Sequence, residues 1–266
     1  MGRLFCVYHE PVGDLKPWGN LLVVPGFNEE MNRCRSMVTI QAQALARQGV
    51  GTMVLDLFGT GESDGEHCDA SWDTWLDDIH QAIKWLDEQP GGCVVLLGIR
   101  LGFPLAVNAL QGDKTARALI AWQPVIDGKN YFTQFMRMKI AANMDRTDIP
   151  KETSGGMRAQ LAAGEKIEIA GYEIRPELGM AIDSLKLADL VPPESSKLVW
   201  FEKSSGPENQ LSPASQKFIE GWQVAGQAAE VTLFDGPAFW ALHDRFLAPD
   251  LVKKTSDWLE KLRPAK

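Results

Sequence analysis

Short apolar runs alternate with amphipathic stretches along this chain. Leu21-Leu-Val-Val24 is a continuous apolar run closed by Pro25 and Gly26, which predicts a buried strand. Residues 37–47 place Met37, Ile40, Ala44 and Leu45 at helical spacing, with Gly49 as a stop. Residues 50–55 predict the next strand, closed by Asp56, and a loop rich in glycine and acidic residues follows over 59–69. Ser71 then fits an N-cap, with Asp73 in the first turn. The helix behind it carries Trp72, Trp75, Leu76, Ile79, Ile83 and Leu86 on one face. After Pro90-Gly91-Gly92, Cys93-Val-Val-Leu-Leu97 is wholly apolar and predicts a strand. A helix to about Leu110 and a strand over 118–122 come next.

The rhythm breaks over residues 124–193. Met136, Met138 and Met144 sit there among basic and polar residues, and residues 167–174 predict a small hairpin ahead of a helix through 180–187. Alternation resumes with a strand over 198–201, a helix over 214–225, a strand over 231–234 and a last helix near 251–262. Strands and helices in alternation predict an α/β class, with a mostly parallel central sheet flanked by helices. The expected division is a core of residues 1–123 and 194–266 with an inserted cap over 124–193.

Composition narrows the function classes. The 266 residues are 45% hydrophobic and carry 27 Lys and Arg against 35 Asp and Glu, for a formal net charge of −8. A chain this acidic, with scattered basic residues, is poorly suited to a phosphate backbone, so nucleic acid is not an expected partner. No apolar run approaches the roughly 20 residues of a membrane span, and residues 1–10 do not read as a secretory signal. The four cysteines (Cys6, Cys34, Cys68, Cys93) have no paired spacing, and His9, His67 and His80 have no ligand spacing. A cytoplasmic protein with no metal and no cofactor is expected.

The chemistry centres on two motifs. An apolar strand running into Gly98-Ile-Arg-Leu-Gly102 and then a helix has the layout of a nucleophile elbow, whose glycines let strand and helix approach closely. Upstream, Asp56-Leu-Phe-Gly-Thr-Gly-Glu-Ser63 fits a D-x-x-G-x-G-x-S loop after the preceding strand. With these motifs in this order, the chain resembles the α/β-hydrolase superfamily over nearly its whole length. More narrowly, it resembles the exosortase A system-associated hydrolase 2 family. That likeness rests on Pro25-Gly-Phe-Asn-Glu-Glu-Met-Asn-Arg33, the loop from Asp56 to Ser63, Trp72-Asp-Thr-Trp75, the elbow, Ala170-Gly-Tyr172 and Gly236-Pro-Ala-Phe-Trp240. It implies an α/β-hydrolase fold with an inserted cap, in a bacterial protein encoded near exopolysaccharide and protein-sorting genes. Protein partners in exopolysaccharide export and a small acyl or glycan ligand go with that setting.

The elbow centre is Arg100. A guanidinium is protonated at any working pH and has no lone pair to offer, so it serves neither as nucleophile nor as base. Where the superfamily places its histidine, the chain offers Phe239 or Trp240, with His243 a few residues late. For the acid, Glu202 comes early and Glu208 is the other choice. A ligand-binding or accessory role follows, lined by Phe27, Asn28, Glu29, Glu30, Arg33, Arg100, Leu101, Phe239 and Trp240. Arg100 either holds a carboxylate or phosphate of the ligand or pairs with Glu29 or Glu30. The alternative is atypical hydrolysis of an ester, thioester or glycan. Its candidates are Ser36, Ser63 or Cys34 with His243, or the carboxylates Glu29, Glu30, Asp56, Glu62, Asp69 and Asp73. The plainer roles are an N-cap for Ser36 and a turn residue for Ser63.

Overall fold

A computed structural model describes residues 2–113, 115, 117–146, 148, 151–194, 196–205 and 210–264. Seven strands form one sheet: β1 (Cys6–His9), β2 (Gly19–Val24), β3 (Val50–Leu55), β4 (Cys93–Ile99), β5 (Ala118–Trp122), β8 (Leu198–Lys203) and β9 (Glu230–Phe234). Their order is β1-β3-β2-β4-β5-β8-β9, and every neighbouring pair is parallel except β1 with β3. The sequence pattern does not reveal β1. Its Cys6-Val-Tyr-His9 is a half-exposed edge strand, too short and too mixed for a period-2 signal.

Side chains alternate across the sheet and fill two cores. Leu22, Val24, Leu96, Leu119, Ala121 and Trp200 face one side, with α2 (Trp72–Asp87), α3 (Gly102–Ala109) and α7 (Pro213–Val224) over them. Leu21, Val23, Val95, Leu97, Ile99, Ile120, Trp122 and Phe201 face the other, under α1 (Glu29–Ala46) and α8 (Pro249–Glu260). Trp122 and Trp200 bury their rings fully, and each indole N–H finds a partner, Thr255 Oγ1 at 3.1 Å and Glu202 Oε2 at 2.9 Å. Ser71 caps α2 through the Thr74 N–H, as its position before the apolar stripe predicts.

Between β5 and β8 run α4 (Gly128–Ala142), α5 (Ser154–Ala162), the antiparallel pair β6 (Ile167–Ile169) and β7 (Tyr172–Ile174), and α6 (Pro176–Ser184). Phe132, Met136, Leu161, Ile169 and Leu178 bury against the helices of the first core. No helix among the described residues is long and apolar enough to cross a membrane.

The helix expected over 37–47 begins at Glu29, eight residues earlier. Ser36 therefore lies inside α1 and caps nothing. Glu29 and Glu30 occupy the first turn, where carboxylates complement the helix dipole. A run of polar residues masks the stripe, yet Met31, Cys34, Met37 and Val38 continue the buried spacing backwards.

Candidate functional site

Strand β4 ends at the middle of the sheet, and its last residue delivers the chain to Arg100. Arg100 takes a left-handed conformation with φ 53°, unusual for a residue with a Cβ. Backbone bonds hold it there. Its N–H donates to the Trp122 carbonyl at 3.0 Å, and its carbonyl accepts from Phe103 and Val125. The flanking glycines are sterically required: a Cβ on Gly98 would lie 2.2 Å from Phe103 Cα, and one on Gly102 would lie 2.2 Å from the Val24 oxygen. The strand–elbow–helix geometry expected from the motif is present, with a guanidinium at its apex.

That guanidinium is heavily engaged. Arg100 Nε donates to Glu30 Oε1 at 2.9 Å, and Nη1 donates to the Gln123 carbonyl at 2.9 Å. The Tyr131 hydroxyl donates to the other Glu30 oxygen at 2.8 Å. Rings of Tyr131 and Trp240 each lie 5.6 Å from Arg100 Cζ, giving two cation–π contacts. Of the two glutamates open to Arg100 from sequence, the fold selects Glu30, while Glu29 accepts the Tyr172 hydroxyl at 2.7 Å. Burial works against the charge of Arg100, but Glu30 and Tyr131 more than compensate and raise its pKa. Burial, and then Glu30, push the Tyr131 phenol well above its ordinary value, so it remains a donor.

Above this cluster is a hollow of about 290 Å³ lined by Phe27, Glu29, Glu30, Arg33, Arg100, Tyr131, Gln134, Phe135, Met138, Trp240 and Ala241. It lies at the C-terminal ends of the strands, where open α/β sheets place ligands. Tyr131, Gln134 and Phe135 come from α4 and have no sequence signal beyond ordinary helix periodicity. Asn28 and Leu101 instead line a separate small cavity with Thr60 and Trp75. Phe239 is buried beneath Trp240, with its ring against Trp122. Trp240 stands at the hollow, in the segment after β9.

The other candidate residues are dispersed. Ser63 Oγ donates to the Asp56 carbonyl at 2.5 Å and accepts the Phe5 N–H at 2.8 Å, a turn-fixing role. Asp56 is buried and bound by Arg35 Nη2 at 3.0 Å; a Cβ on Gly61 would fall 2.0 Å from its oxygen. Cys34 is buried, and burial followed by Glu30 raises its thiol far out of the nucleophilic range. His243 is exposed and lines an outer cleft of about 660 Å³ that shares Glu29, Arg33 and Met138 with the hollow. No hydrogen bond joins Ser36, Ser63 or Cys34 to a histidine among the described residues. Of the six carboxylates, Glu29 and Glu30 line the hollow. Glu202 accepts from Trp200 Nε1 and the Ser212 N–H, a structural pairing, and Glu208 lies outside the described residues. No group of His, Cys, Asp and Glu suited to a metal ion occurs among the described residues.

His67, whose place in the sequence shows no ligand spacing, is tied into the fold by both ring nitrogens. Its Nδ1 is 2.8 Å from the Glu173 carbonyl of β7, its Nε2 is 2.6 Å from the Asn28 amide, and its ring packs on Phe27, Trp75 and Tyr172. Burial lowers its pKa from the usual 6.5, and the Glu173 bond partly opposes this. A ring held neutral in the fold protonates first in the unfolded chain. This contribution to stability is therefore complete above about pH 6.5 and is lost as pH falls below it. Urea unfolding at about pH 7.5 and about pH 5.5 should show a larger acid loss in the wild type than in His67→Gln. Equal losses would assign the acid sensitivity elsewhere.

Comparison with known proteins agrees with this geometry. No curated protein matches the sequence. Among solved structures, Est1E from Butyrivibrio proteoclasticus with bound ferulic acid is similar at TM-score 0.64 and 13% identity, covering 97% of this chain and 93% of Est1E. XC6422 from Xanthomonas campestris, described as an α/β serine hydrolase without a lid, is similar at TM-score 0.60 and 14% identity, covering 99% and 91%. The monoacylglycerol lipase of Paleococcus ferrophilus is similar at TM-score 0.58 and 16% identity, covering 97% and 99%. At such identities these likenesses establish the fold, an α/β-hydrolase fold. The family profile described as "Serine aminopeptidase, S33" matches residues 16–161, more than half of the chain. The elbow, the sheet order and this match place the chain in that family of α/β-hydrolases.

Proposed function

We propose that this chain is a hydrolase-family member without the usual nucleophile, and that it holds a small ligand in the hollow rather than cleaving it through a covalent intermediate. One observation carries the reading: the residue at the elbow apex is Arg100, with its guanidinium 2.9 Å from Glu30. A permanently protonated group cannot attack a carbonyl, and the aromatic Trp240 can neither take nor give the proton that such an attack needs. The residue chemistry supports an uncharged ligand. Arg33 and Arg100 are balanced across the hollow by Glu29 and Glu30, so no net charge is left to draw an ion in. Phe27, Phe135, Met138 and Trp240 would take the ligand's apolar body, and Nη2 of Arg100, which forms no hydrogen bond among the described residues, would donate to an oxygen on it.

On this reading the segment over 124–193 is a cap over the hollow. The protein is a cytoplasmic accessory member of a bacterial exopolysaccharide and exosortase locus, with partners in export and none among nucleic acids. Relocated hydrolysis has less support. Ser36, Ser63 and His243 lie in separate surroundings, and both oxygens of Glu30 are already occupied.

Two measurements test the reading. A fluorophosphonate probe should leave the wild type unlabelled, whereas labelling lost in Ser36→Ala or Ser63→Ala would restore the hydrolytic alternative. Calorimetric titration with n-hexanol, a neutral apolar probe, should show binding that Trp240→Ala weakens by about tenfold. Absence of any hexanol binding would remove the ligand reading.

A further inference from the structure

Arg100, Tyr131 and Gln134 line two hollows, not one. Behind them, between α4 and the start of α7, opens a shallower cleft of about 450 Å³. Its walls differ in kind from those of the first hollow. Besides the shared residues, the first offers phenylalanine, methionine and tryptophan, while the cleft offers Asn130, Arg137 and the hydroxyls of Thr133, Ser212 and Ser215 beside Pro124, Val125 and Ile126.

Most charged and hydroxyl groups of the cleft are already used. Asp127 pairs with Lys186 and accepts the Asn130 N–H, Thr133 is bound by Arg158, and Ser212 donates to Ser215. The side-chain amides of Asn130 and Gln134 form no hydrogen bond among the described residues. Each amide presents a donor and an acceptor side by side, the arrangement that answers a hydroxyl, which is itself both. A phosphate would instead need a surplus of donors and positive charge. Arg137 alone supplies that here, because the charge of Arg100 is already met by Glu30.

Resting on the reading of the first hollow as a site for a neutral ligand, we propose that the ligand is an amphiphile with an uncharged polyhydroxyl head. Its apolar part lies among Phe27, Phe135 and Met138, and its head lies in the cleft against Asn130 and Gln134. The oxygen joining the two parts sits at Nη2 of Arg100, whose side chain reaches both compartments as a cation. Asn130 and Gln134 would then set which head is accepted, while the apolar wall sets the length of the tail.

Calorimetric titration of the full chain separates the parts, using n-hexanol, hexyl β-D-glucopyranoside, methyl β-D-glucopyranoside and hexyl phosphate as probes. The glucoside with its hexyl chain should bind at least about tenfold more tightly than hexanol, and the methyl glucoside far more weakly than either. Asn130→Ala, on the exposed face of α4, should return hexyl glucoside to the affinity of hexanol and leave hexanol unchanged. Equal affinities for hexanol and hexyl glucoside in the wild type would overturn the inference while leaving the first hollow a ligand site. Tighter binding of hexyl phosphate would overturn it in favour of an anionic head. Binding of neither hexanol nor hexyl glucoside would remove both this inference and the reading beneath it.

Discussion

Replacing Arg100 by methionine should destabilise the fold by about 3 kcal/mol, measured as a fall in the denaturant midpoint at neutral pH. Methionine fills much of the same volume and keeps the apolar contact with Trp240 and Tyr131. What it removes is the cation bound to Glu30, the only one among the described residues, at a place where the Arg100 and Glu30 side chains are 15% and 16% exposed. Breaking a buried pair from one side costs about 3–5 kcal/mol because the remaining charge is stranded, and the residual exposure here argues for the lower end. The double variant Arg100→Met with Glu30→Gln should recover at least about 1 kcal/mol, because the amide still accepts from Tyr131 without a charge to solvate. If Arg100→Met unfolds within about 0.5 kcal/mol of the wild type, the pair does not hold the site together. Arg100→Ser removes the same cation and leaves the Glu30 carboxylate unpaired, so a comparable loss of stability is expected there.

The second large effect belongs to Gly102. An alanine there would set its Cβ 2.2 Å from the Val24 oxygen and 2.4 Å from the Pro25 oxygen, both backbone atoms at the end of a central strand. Neither can rotate away, so helix α3 would have to move off β2 and take the elbow with it. Overpacking of this kind costs about 1–3 kcal/mol where side chains yield, and more where backbone must shift, so a loss above about 3 kcal/mol is expected. Gly221→Ala is the matched control. It lies within α7, with nothing inside 4 Å of the added carbon. Alanine's higher helix propensity should raise stability there by about 0.5–1 kcal/mol. Comparable losses in the two variants would mean that the elbow contact is not the cause.

Much of the frame could be read before folding. Buried strands announce themselves by unbroken apolar runs, as at residues 21–24 and 93–97, because both faces of a covered parallel sheet must be apolar. Helix α2 announced itself by its stripe and its Ser71 cap. The start of α1 was hidden because Glu29 and Glu30 are favoured there by the helix dipole rather than by burial. Strand β1 was hidden because an edge strand need not repeat a buried pattern.

By itself, the sequence determined the α/β frame, the elbow with its two obligatory glycines, and the presence of a fixed cation at its apex. Each of these depends on neighbours a few residues apart, through periodicity, sterics or the chemistry of one side chain. Only the tertiary structure decided that Glu30 and not Glu29 meets Arg100, that Tyr131 completes the cluster, and that His67 ties β7 to the Asn28 loop. Those pairings join elements from 39 to 106 residues apart. They are settled by differences of an ångström or two between packed elements, a distance on which local pattern carries no information.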